Sequence, residues 1–266
     1  MKNVLLLVHD DAGQEARLQA ALDITRAVNG HLTCLDVAIL VQIPGDYDGA
    51  CGAVLLDDER TRASANRLKL DARLHAEAIR WNWVEAVGTL ASCVRDAASL
   101  ADLIVLNRQL DSFHSVDLQA AIGEIIVKSG TAVVAVPEQA RAFAASGNAL
   151  VAWNGSAAAT AALRAAVPLL ALAETVTLVI VENRSQAGEP GEAAAYLSRH
   201  DIHPLIANVA PGGRSTADAL LNEIAERDAA YLVMGGFGHS RLREAIFGGV
   251  TRQMLEKCPV PLVLAH

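Results

Sequence analysis

The chain has 266 residues, 52% of them apolar but only 4% aromatic, so its cores must be built from Ala, Val, Leu and Ile. That length suits one large α/β domain or two smaller ones. No apolar run approaches the roughly 18 residues that a membrane helix needs, and the net charge of −8, with Lys and Arg spread along the chain, gives a nucleic acid no basic face. The opening MKNVLLLVHDD meets two aspartates too soon for a signal peptide, so a cytoplasmic protein is expected. Cys34, Cys51, Cys93 and Cys258 show no CxxC or metal-ligand spacing and read as free thiols.

The elements repeat one plan twice. Val4–Val8 reads as a buried strand, Glu15–Val28 as a helix closed by Asn29-Gly30, and Leu32–Ile39 as a second strand. A loop at Gln42–Gly52 offers a separate contact surface. After it come a long helix from Asp57 to Ala78, a strand at Trp81–Val87 and a helix at Thr89–Leu100. Leu103–Leu106 and Thr131–Pro137 complete five strands. In the second half the strands are Ala149–Trp153, Thr175–Val181, His203–Ala210, Tyr231–Met234 and Val260–Ala265. Helices are expected at Ala157–Ala173, Glu192–His200, Ser215–Arg227 and Leu242–Lys257. Short apolar strands alternating with helices imply parallel sheets covered on both faces.

The expected fold class is therefore α/β, with two tandem doubly wound parallel-sheet domains of about five strands each. The domains are expected at residues 1–140 and 147–266, joined by the polar connector Glu138–Asn148. Two domains are favoured over one ten-stranded sheet.

The informative chemistry lies in VMGGFGHSRLREAIFGGVTRQML, residues 233–255. Glycines at a strand end let main-chain N–H groups approach an anion, and a helix starting near Gly249 adds its free N–H groups. The P-loop pattern is absent. A dinucleotide GxGxxG also fails, because Arg241 stands at its third glycine. Pro211–Ser215 is only faintly like a pyrophosphatase loop, and Ser215 is more simply a helix N-cap. Against any ligand stands the plain alternative that such glycines serve turns and close packing.

Gly235, Gly238 and Gly248 fall on G-x2-G-x9-G-(S/T), LVAWNGS resembles LVAVDGS, and CPVPLVLA resembles CPVPVLVV. By these motifs residues 149–266 resemble the universal stress proteins. The resemblance implies an adenine-nucleotide alpha-hydrolase-like fold that binds ATP, with or without Mg²⁺, in a stress response. By that likeness the pocket comprises Ala152, Asn154, Val181, Met234, Gly235, Gly238, Gly248, Gly249 and Val250, with His239, Ser240 and Thr251 near the phosphates. Two positions depart from the pattern: Gly249 replaces Ser or Thr, and Asn154 replaces Asp. No catalytic or metal-ligating set is identified, so a slow ATPase and a nucleotide-free scaffold stand as the alternatives.

The first half is expected to be a degenerate copy. Asn107 stands where Gly235 does, Asp111 and Asp117 would repel phosphate, and Asp10 is the candidate nucleoside carboxylate. Its expected role is that of a pseudo-symmetric partner, a pseudo-dimer within one chain, with a homodimer of the fused chain left open. His200 and His203 read as surface histidines, and Trp81 and Trp83 as packing residues on one strand face.

Overall fold

The computed structural model describes residues 1–39, 50–108, 118–182, 190–236 and 249–266. In the first half the apolar runs form strands β1 (Asn3–Val8), β2 (His31–Ile39), β3 (Arg80–Gly88), β4 (Leu103–Asn107) and β5 (Ala132–Val136). The helices between them are α1 (Gln14–Ala27), α2 (Ala50–Ala76), α3 (Leu90–Ala97) and α4 (Leu118–Ser129). The second half runs β6 (Asn148–Ala152), α5 (Ala157–Leu170), β7 (Val176–Val181), α6 (Pro190–Ser198) and β8 (Leu205–Val209). It closes with α7 (Thr216–Glu226), β9 (Ala229–Gly235), α8 (Gly249–Lys257) and β10 (Leu262–Ala265).

Local chemistry sets the boundaries. Thr89, Ser156 and Ser215 each cap a helix, accepting the N–H of the residue three positions on at 3.4, 3.1 and 3.1 Å. At the end of α1 the left-handed residue is Asn29 (φ 47°) rather than Gly30. Asn29 donates to the Arg26 carbonyl and Gly30 to that of Thr25, which closes a Schellman motif. Gly30 is required for another reason: a Cβ there would lie 2.6 Å from the Lys2 carbonyl oxygen.

Three elements differ from expectation. The helix α2 begins at Ala50, upstream of Asp57, so the end of the expected Gln42–Gly52 loop is helical and residues 42–49 lie outside the described residues. The helix α4 has no counterpart in the sequence reading. Its Gly123 disfavours helix by about 1 kcal/mol, but Ile122, Ile125 and Ile126 are all buried and hold the turn in place by packing. Of the expected Leu242–Lys257 helix, the part from Gly249 onward is described.

All ten strands form one sheet, in the order β3-β2-β1-β4-β5-β10-β9-β6-β7-β8. Pairing is parallel within each half, as expected for doubly wound α/β structure. The expectation of two separate sheets is corrected by one contact, because β5 and β10 pair antiparallel, Leu262 with Ala135 and Leu264 with Val133. Both strands are wholly buried and apolar, and pairing satisfies main-chain groups that two bare edges would leave open. The strand order is the same in each half and reads outward from this seam. Two apolar cores cover the sheet, one under α1, α2, α5 and α6, the other under α3, α4, α7 and α8.

Among the described residues Cys34, Cys93 and Cys258 are free and buried. Trp81 and Trp83 pack against the α1-side core, and Arg67 stacks over Trp83 at 5.4 Å. No described helix is long and apolar enough to cross a membrane.

Candidate functional site

In the second half β6 leads into α5 on one face of the sheet, while β9 leads toward α8 on the other. The strand order thus reverses between the parallel neighbours β6 and β9, and the crevice beyond such strand ends is where open α/β sheets take ligands. Ala152 ends β6 beside Met234 of β9, and Val181 ends β7 beside Val209 of β8. Ala152, Val181, Val209 and Val250 are only half buried against the α7–α8 core, around a Met234 that is 5% exposed. They form an apolar shelf at one mouth. Val209 was missed in the sequence, although it ends its strand in the register that singles out Val181.

The helix α8 begins with Gly249, which is exposed, and a Cβ there would meet nothing within 4 Å. Its first N–H groups have no intrahelical partner. Asn154 is exposed, and its Oδ1 accepts the Ser156 N–H at 3.1 Å, a local turn that opens α5. The Asn154 NH2 group makes no hydrogen bond among the described residues. Thr251, by contrast, is 6% exposed within α8.

Gly235 serves a different purpose. A Cβ on it would lie 2.5 Å from the Ala159 nitrogen and 2.6 Å from the Ala158 carbonyl carbon. Its missing side chain faces α5, so close packing accounts for this glycine. Gly238, His239, Ser240 and Gly248 lie outside the described residues.

Residues 146–266 match the family model described as the universal stress protein family. The chain carries a universal stress protein domain. Over 99% of its length it resembles a universal stress protein from Archaeoglobus fulgidus DSM 4304, with a TM-score of 0.76, 16% identity and 97% of that chain covered. A protein of unknown function from Pseudomonas aeruginosa PAO1 matches 100% of the chain and 92% of its own, with a TM-score of 0.60 and 14% identity. At these identities the likeness is one of fold. No curated protein matches the chain.

Sheet register allows the first half to be laid over the universal stress protein domain. Asn107 pairs with Val136 as Gly235 pairs with Ala265, so Asn107 corresponds to Gly235 as expected. Carrying the register across the sheet sets Leu7 against Ala152, Val37 against Val181 and Leu106 against Met234. The first-half residues are 1%, 3% and 0% exposed. Where the domain has a shelf, the first half is sealed.

The same register corrects one expectation: His9, and not Asp10, stands at the position of Asn154. Asp10 lies one residue farther on, exposed and 3.9 Å from Lys69. Burial beside Arg17 lowers the His9 pKa to about 4 and keeps the imidazole neutral at pH 7. Behind it Arg17 is fully buried, paired with Asp11 at 3.2 Å and donating to the His9 carbonyl at 2.8 Å and to Asn107 Oδ1. Burial lowers the Arg17 pKa, and Asp11 opposes the shift. Asn107 in turn donates to the Gly13 carbonyl at 3.1 Å, and a Cβ on Gly13 would collide with its amide. The glycine is on the strand in one half and at the helix entrance in the other.

Proposed function

We propose that the universal stress protein domain, taken as residues 147–266, binds ATP or a related adenine nucleotide and acts in a cytoplasmic stress response through nucleotide-dependent conformation or partner contacts. One observation carries this reading: Ala152 and Val181 at the strand ends of the second half are half buried, and their counterparts in the first half, Leu7 and Val37, are buried. The shelf of Ala152, Val181, Val209 and Met234 suits the flat face of a base. Asn154, two residues beyond β6, has an amide NH2 group that makes no hydrogen bond among the described residues. The start of α8 at Gly249 supplies N–H groups and partial positive charge for phosphates, with or without Mg²⁺. Residues 1–140 act as the structural partner, a pseudo-dimer mate joined along β5 and β10.

The test is ligand release from freshly purified protein by mass spectrometry, followed by ATP titration of wild type and Ala152→Leu. Leucine is what the first half carries at the same place, so the variant should fold while closing the shelf. Copurified adenine nucleotide, or saturable binding of about one per chain that Ala152→Leu abolishes, supports the reading. Equal binding by the folded variant refutes the site, and absence of binding in the wild type refutes the function.

A further inference from the structure

Arg108 follows β4 directly, and its N–H donates to the Val136 carbonyl at 3.2 Å, as that of Gly236 donates to Ala265 at 2.9 Å. The two positions correspond, so an arginine stands in the first half where the glycine loop begins in the second. Asn107 faces α1, and Arg108 lies toward the opposite face, beside Cys258. Its Nε and Nη1 atoms are buried and donate to nothing among the described residues. Among the described residues no carboxylate pairs with it.

Burial lowers the Arg108 pKa, yet a guanidinium is charged at any ordinary pH. The neighbouring Cys258 thiol, pushed up to about 11 by burial, is neutral and supplies no countercharge. A cation with buried, unpaired donors is unfavourable unless an anion completes it. Leu7, Val37 and Leu106 are buried at the adjacent strand ends, which argues against room for a nucleoside and favours a small ligand.

We propose that Arg108 binds a small oxyanion of the phosphate class at the strand ends of the first half, its buried charge outweighing the repulsion expected from Asp111 and Asp117, at a site separate from the nucleotide shelf. The guanidinium performs there, with a side chain, the task that main-chain N–H groups perform in the other half. Free phosphate and the terminal group of a nucleotide share this chemistry, and the sealed crevice predicts no added affinity from a base.

The test uses the full chain in the Ala152→Leu background, with thermal midpoints measured as inorganic phosphate replaces chloride at constant ionic strength. The midpoint should rise with phosphate, AMP should do no better, and Arg108→Met should lose the response while gaining stability in chloride. Affinity for phosphate should fall at least about tenfold in Arg108→Met, which is 1.4 kcal/mol or more. Arg108→Gln serves if the methionine variant misfolds. A response retained in the Arg108 variant, or no response in the parent, overturns the proposal; AMP binding much tighter than phosphate overturns the sealed-crevice argument.

Discussion

Replacing Gly249 by serine gives a gain-of-function test of where phosphate sits. A Cβ at this position meets nothing within 4 Å and the backbone is not left-handed there, so serine enters without strain. The new hydroxyl sits at the first residue of α8 and can donate to a phosphate oxygen. A hydrogen bond to a charged group contributes about 1.5–3 kcal/mol, which corresponds to about 10- to 100-fold tighter binding. The helix itself should gain only about 0.5 kcal/mol from losing a glycine. Gly249→Asp separates the two effects: a carboxylate at a helix start stabilises the helix but repels phosphate. Titration calorimetry with ATP, paired with urea unfolding, should therefore show tighter binding for serine and weaker binding for aspartate, with neither variant less stable. Serine and aspartate variants that bind as the wild type does would refute the placement of phosphate at α8.

Two further outcomes test the packing argument. Gly235→Ala should destabilise by about 1–3 kcal/mol in urea unfolding, because its methyl would press on main-chain atoms of α5 that cannot swing aside; an unchanged midpoint would refute the close-packing role. His9, with its pKa lowered from 6.5 to about 4, binds fewer protons folded than unfolded. Its stabilising effect is complete above pH 6.5 and is lost as pH falls toward 4, by up to about 3 kcal/mol. Urea unfolding of wild type and His9→Gln at pH 7 and pH 4.5 should show a smaller acid loss in the variant, and equal losses would refute it.

What the sequence made legible was set by the range of the interactions involved. Strand and helix order follows from local apolar pattern and caps, which is why Ser215 was readable as an N-cap and Thr175–Val181 as a strand, observed from Val176. The seam between β5 and β10 was not readable, because VVAV and LVLA look like any buried parallel strand and only the partner across the pair decides their direction. The same limit applies to the glycines. Gly235 and Gly249 are indistinguishable as members of one motif, but the first is enclosed by α5 and the second opens to solvent. A motif match treats both as ligand positions; the three-dimensional contacts assign one to packing and leave the other exposed. The degenerate half shows why this matters. Asn107 does not simply lose a glycine, since Gly13 has taken over the close approach and Arg17 with Asp11 fills the space behind it. The fold has been kept by compensating exchange across the sheet, while Leu7 in place of Ala152 closes the shelf. On the proposed reading, the first half lacks a nucleotide site because of the residues at its strand ends, and the missing glycines are the less informative sign.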